Sequence, residues 1–123
     1  MNITPAEVVT HMMQHDLFSQ WLGITVLEQR AGYCRLAMAV RKEMLNGFGI
    51  AHGGITYSLA DSALAFASNS KGRKSVSIET SISHLVSLKE NDRILAEAFC
   101  EAETDKLGHY KVTVTLENEP AKI

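Results

Sequence analysis

The sequence predicts an α+β fold, a curved antiparallel sheet with one long apolar helix laid on its dry face. Three observations carry that expectation. Four segments alternate apolar and polar residues with a period of two, their connections include short turn-like runs, and residues 54–69 form one apolar stretch too long for a strand. A chain of 123 residues is long enough for one core and too short for a second, so residues 1–123 are expected to be a single domain.

Residues 4–16 read as a helix, because Thr4 can cap, Pro5 suits the first helical position and Glu7 completes a capping box. Phe18, Trp21 and Leu22 follow as an apolar patch that should seal another element. Strand patterns then cover residues 33–40, 75–84, 93–103 and 109–117. In the second of these, Val76, Ile78, Thr80 and Ile82 alternate with five polar residues; in the last, Tyr110, Val112, Val114 and Leu116 alternate with polar ones. Residues 89–92 and 105–108 have turn composition, as antiparallel neighbours require.

Composition narrows the function. With 46% hydrophobic and 21% charged residues and a formal net charge of −2, nothing supplies the basic stripe of a nucleic-acid binder. The first sixteen residues lack a basic region followed by an apolar core, so no secretory signal is expected, and no window approaches a membrane span. Cys34 and Cys100 lack CxxC spacing and read as reduced thiols, from which a cytoplasmic location is expected. The histidines show metal-like spacing only at His11 and His15, without carboxylate partners, so no metal is expected.

The chemistry concentrates in NGFGIAHGGITYSLADSALAFASNS, residues 46–70. Gly53 and Gly54 open the long helix, where unpaired N–H groups meet the positive end of the helix dipole and suit an oxygen gaining charge. They could equally do no more than turn the chain into the helix. Asp61 is a carboxylate on an apolar helix, which costs several kcal/mol to desolvate unless paired or wetted. A structural bond to Ser58 or Ser62, exposure at a helix edge, and a general base or nucleophile in a semi-buried pocket all satisfy that requirement. Eight residues separate Gly53 from Asp61, about 12 Å at 1.5 Å per residue. One acyl carbon cannot lie within hydrogen-bond reach of both, so joint action on one substrate predicts a dimer with two sites across a two-fold axis.

Asn46, Gly49, His52-Gly53-Gly54, Leu59-Ala60-Asp61-Ser62-Ala63 and Asn69-Ser70 together resemble the PaaI-type branch of the hotdog-fold acyl-CoA thioesterases. The similarity runs from about Phe18 to Leu116, including the Gly23-Ile24 strand before the motif and the Val76-Ser77-Ile78 strand after it. The resemblance implies a hotdog fold, a sheet wrapped around one central helix, and hydrolysis of an acyl-CoA. It implies that Asp61 activates water or attacks the thioester, and that the Gly53 N–H holds the thioester oxygen. Asn46 and His52 would orient the carbonyl or the water, and Ser77 would help place the water. Such chemistry needs an oxyanion donor and one base, with no cofactor.

The same resemblance implies an aromatic, phenylacetyl-type acyl group. Phe48, Tyr57, Leu64 and the Phe18/Trp21 patch are the expected lining of the acyl pocket, and Gly54 is expected to let the substrate come close. Lys71, Arg73 and Lys74 after the helix, with Lys89 and Arg93 near the turn, are the cations expected to meet the coenzyme A phosphates. Self-association to a homodimer, and pairing of dimers to a tetramer, are expected. A hydroxyacyl-thioester dehydratase using His52 and Asp61, or a non-catalytic acyl-CoA-binding module, are the alternatives. One departure stands out: relatives continue past the strand at 109–117 into a last long strand, whereas here ENEPAKI leaves it missing or a stump.

Overall fold

The structure, a computed structural model, describes residues 3–119. Two helices open the chain, α1 (Pro5–His15) and α2 (Leu17–Leu22), followed by β1 (Thr25–Arg30) and β2 (Tyr33–Ala39). A 3-10 turn (Lys42–Met44) leads to the long helix α3 (Gly53–Asn69), and β3 (Arg93–Glu103) and β4 (Gly108–Leu116) complete the described elements. The four strands form one antiparallel sheet in the order β1-β2-β3-β4, with β1 and β4 at its open edges.

The local signals act as expected at α1. The Thr4 side chain accepts from the Glu7 N–H at 3.2 Å, and the Glu7 carboxylate accepts from the Thr4 N–H in return. Gly23 closes α2 at φ +74°, a left-handed position that costs a glycine nothing and aims the chain into β1.

One face of the sheet is dry. Cys34, Leu36 and Met38 of β2, Ile94, Ala96 and Ala98 of β3, and Val114 of β4 pack against Leu59, Ala63, Phe66 and Ala67 of α3. The alanines of β3 give the helix room at the centre of the sheet, while β2 supplies bulkier walls. Each large apolar side chain buried there contributes roughly 1.5–3 kcal/mol relative to exposure. Met38 and Met44 are buried and Met12 and Met13 pack on the core, so these methionines fill gaps.

The strand expected over residues 75–84 does not form among the described residues. The stretch from 71 to 92 is an extended connection with no ladder, and Val76 and Ile78 are 80% and 82% exposed. Its alternation is real, but a strand exists only through a neighbour's hydrogen bonds, and no described strand lies beside it. Consequently the turn at 89–92, held by the Lys89 N–H on Asp92 Oδ2 at 2.8 Å, feeds β3 from an extended connection instead of closing a hairpin. The turn at 105–108 does join two strands, with the Thr104 N–H on the Leu107 carbonyl at 2.7 Å. The expected loss or shortening of a last strand concerns residues 117–123, of which 120–123 lie outside the described residues.

The two thiols differ. Cys34 is sealed in the core, and burial pushes its pKa up to about 12; Cys100 is half-exposed at the bulged end of β3. A neutral alkylating reagent should label Cys100 in the native protein and Cys34 only after unfolding, as peptide mapping would report. Above about pH 9 the unfolded chain releases the Cys34 proton while the folded one retains it, so stability should fall as pH rises toward 12. The urea midpoint should therefore drop less from about pH 8 to about pH 11 in Cys34→Ala than in the unaltered protein.

Candidate active site

Helix α3 positions the site. His52 is its N-cap, in extended conformation, and the ring Nδ1 accepts the Gly54 N–H at 2.9 Å. That bond fixes the tautomer, since Nδ1 must be unprotonated to accept, leaving Nε2–H as an outward donor. Gly53 is the first helical residue; its N–H has no intrahelical acceptor, and no other acceptor is found for it among the described residues. The start of α3 therefore presents one free backbone donor beside one ring donor, both exposed.

The approach to the helix is a tight loop. The Leu45–Ala51 bridge and the His52 N–H on the Met44 carbonyl at 2.8 Å bring it back to the start of α3. Asn46 holds its tip: Oδ1 accepts the Phe48 N–H at 2.9 Å, and the backbone carbonyl accepts the Gly49 N–H at 3.0 Å. Gly49 at φ +78° makes that turn possible. The Asn46 side-chain amide nitrogen has no partner among the described residues.

Two turns along α3, Asp61 lines a concavity of about 330 Å³ with Tyr57, Ser58, Ser62 and Ala65 of its own helix. Asp16, Phe18 and Ser19 from α2 and its cap close one side, and Ser77 and Thr80 of the extended stretch close another. The structure thus joins Asp61 and Ser77, the expected base and water-placing hydroxyl, with Tyr57 and Phe18 of the expected acyl pocket. Asp61 is exposed in the protomer and forms no ion pair among the described residues. The semi-buried setting expected for it is not supplied by its own chain.

Other expected residues stand apart from that cavity. Asn46, His52, Gly53 and Gly54 are at the far end of α3, and Phe48 projects from the loop tip 90% exposed. Leu64 lies half-buried one turn beyond Asp61. Trp21 stacks on Phe18 with ring centroids 6.0 Å apart and is capped by the Arg41 guanidinium, which also donates to the Trp21 and Leu22 carbonyls. Of the candidate cations, Lys71 is held by Glu103, and that hydrogen bond raises its pKa. Arg73 donates to the Asp105 carbonyl at 2.8 Å, and Arg93 pairs with Glu117. Lys74 and Lys89 are exposed. A larger concavity, about 470 Å³, lies between α1 and β1, but no carboxylate, histidine, lysine or cysteine lines it.

Sequence reasoning missed a polar chain beneath Asp61. Asp16 Oδ2 accepts from the Ser19 hydroxyl at 2.6 Å, and Ser19 Oγ shares a 2.8 Å bond with Ser62 Oγ. Both serines are buried, and the chain pins α2, with Phe18 on it, to the turn of α3 that carries Asp61. The Asp-x-x-Ser spacing at 16–19 was a visible N-cap signal; its link to Ser62, 43 residues away, was not.

Comparisons with known proteins show the family and the fold. The family model of the Thioesterase superfamily matches residues 48–121, which includes the whole of α3. The chain belongs to that superfamily. Over 103 residues it is 32% identical to the acyl-coenzyme A thioesterase PaaI of Escherichia coli, covering 84% of this chain and 74% of that one. The solved structure of the E. coli PaaI protein, from the phenylacetic acid degradation operon, superposes with a TM-score of 0.94 at 28% identity, over 97% of this chain and 86% of that one. The fold is therefore the hotdog fold, with a sheet that does not close among the described residues. A protein of Archaeoglobus fulgidus with a general esterase name is 41% identical over 91 residues, 74% of this chain; the match spans 59% of that relative's length. The structure of smu.793 from Streptococcus mutans, bound to acetyl CoA, superposes at a TM-score of 0.77 with 27% identity, over 81% of this chain and 80% of that one.

Replacing Ser19 by Ala breaks one buried and one part-buried bond and should cost about 1–3 kcal/mol of unfolding free energy, read from urea titration. Ser62→Ala should cost less, because Ser19 keeps its bond to Asp16.

Proposed function

We propose that the protein is an acyl-CoA thioesterase in which Asp61 of one subunit and the Gly53 N–H of another act on the same thioester. The observation that carries this reading is the cavity in which Asp61 meets Ser77, Tyr57 and Phe18, set two helical turns from the free amide of Gly53. Water held by Ser77 and Asp61 adds to the carbonyl carbon, and its proton passes to the carboxylate. The oxygen gains the displaced electron pair and is met by the Gly53 N–H at the positive end of α3. Collapse expels the thiolate of coenzyme A and leaves the free acid. His52 and Asn46, whose Nε2–H and side-chain amide have no acceptor among the described residues, orient the carbonyl.

The dimer follows from the same geometry. Gly53 and Asp61 are about 12 Å apart along one rigid helix, beyond the reach of a single carbonyl group. Val76, Ile78 and Leu85 expose an apolar strip beside α3, and a second copy laid against it would bury both the strip and Asp61. Burial in that interface would exclude bulk water and strengthen the electrostatics of the base. Pairing of such dimers into a tetramer is proposed on resemblance alone.

An aromatic acyl group, of phenylacetyl type, suits a pocket walled by Phe18 and Tyr57, with Leu64 one turn beyond Asp61 and with Phe48 and Gly54 contributed around the partner's helix start. Lys89, with Lys71 and Arg73 at the other end of α3, would meet the phosphates of coenzyme A. The E. coli relative's name and the acetyl-CoA-bound S. mutans structure support the coenzyme A ester as substrate class.

Free-thiol release from a panel of aromatic and straight-chain acyl-CoAs tests the proposal. The unaltered protein should turn over several esters, fastest for phenylacetyl types, and Asp61→Asn should lower kcat by roughly 100-fold or more. An Asp61→Asn variant as active as the parent would remove the assigned base, and enoyl product from a hydroxyacyl-CoA would favour the dehydratase.

A further inference from the structure

The extended stretch after α3 returns antiparallel to the helix and reaches both ends of the proposed site. Ser77 and Thr80 lie at the Asp61 cavity. Four residues on, His84 lies at the helix start: its Nε2 is 3.4 Å, and its Cε1 3.5 Å, from where a β-carbon on Gly53 would stand. A Cα–Cβ bond in a helix tilts toward the N-terminus, so a ring lodged at that point flanks the space ahead of α3. The Gly53 N–H, free of any intrahelical acceptor, faces the same space. At Gly53, then, a backbone donor and an imidazole come together, the ring at ordinary van der Waals distance from where a side chain would begin.

The other groups at this end are already committed or differently aimed. The Gly54 N–H is taken by His52 Nδ1, and the His52 ring lies against Gly54, 3.1 Å from its β-carbon position. His84 is exposed in the protomer, and no hydrogen bond among the described residues fixes its tautomer. Nε2, the ring nitrogen that lies toward Gly53, can therefore carry the proton toward a bound oxygen.

We propose that His84 is a second donor to the thioester oxygen, its imidazole N–H meeting the same developing negative charge as the Gly53 N–H. This rests on the reading that Gly53 receives that oxygen. His84 donates a hydrogen bond and transfers no proton: as water adds, the carbonyl π pair moves to the oxygen and is held by two donors until the C–S bond breaks. Two donors converging on one oxygen stabilise the tetrahedral species more than the flat carbonyl, so the effect falls on kcat more than on binding.

Two replacements separate donation from packing. His84→Phe keeps a ring of similar shape without an N–H, and His84→Gln keeps an N–H without the ring. With phenylacetyl-CoA and butyryl-CoA as probes, His84→Phe should lose roughly 10- to 100-fold in kcat. KM, and the dissociation constant of a non-hydrolysable thioether analogue, should stay within about threefold, while His84→Gln should recover most of the rate. A His84→Phe variant with full kcat, or a His84→Gln variant as slow as His84→Phe, would overturn the proposal, the latter by showing that only ring packing matters. Asp61→Asn in the same assay keeps the two readings apart. An active His84→Phe beside an inert Asp61→Asn removes His84 alone, whereas an active Asp61→Asn removes the base assignment whatever His84 does.

Discussion

An α-helix is a ruler, and the length of eight residues of α3 governs the rest of this account. From Gly53 to Asp61 the helix has no proline and no break, and its buried face is fastened along β2 and β3, so the separation cannot shrink to suit a substrate. A free amide sits at one mark and a carboxylate at the other. Chemistry that requires both must fold the ruler, which packing forbids, or lay two of them side by side.

The sheet sets where the ruler lies, and the segments around it turn a bare helix face into a site. Alanines on β3 let α3 settle close, and the Asp16–Ser19–Ser62 chain clamps α2 against the turn that bears Asp61. The stretch returning along α3 brings Ser77 to one end and His84 to the other. A single segment, running against the helix, thus delivers polar atoms to both marks.

Much of this was legible in sequence where the signal is local. The Thr4, Pro5 and Glu7 pattern specifies the start of α1 because every partner lies within one turn, and the apolar run specifies α3 because no strand is that long. Strand β1 was visible only as Gly23-Ile24. Its register slips between Val26 and Glu28, and that bulge places two apolar residues in a row and erases the period of two. Residues 75–84 show the opposite case: the alternation is clear, but pairing depends on a neighbour that local pattern cannot supply. At the proposed site, the placement of His52 and Gly53 at the start of α3 and of Asp61 two turns along it was legible by spacing. The Ser62 end of the polar chain and the approach of His84 to Gly53 were not, since both depend on tertiary return across more than thirty residues.

The shared site is tested most directly by subunit mixing. Gly53→Pro deletes the backbone donor at a helical position where proline is well tolerated, after an N-cap already extended, and Asp61→Asn deletes the base. Each variant alone should be nearly inactive. Unfolded together in equal amounts and refolded, they should form hybrids with one intact site and recover about a quarter of the parental thioesterase activity. Recovery no greater than the sum of the two separate variants, with hybrids shown to be present, would contradict a site built from two chains.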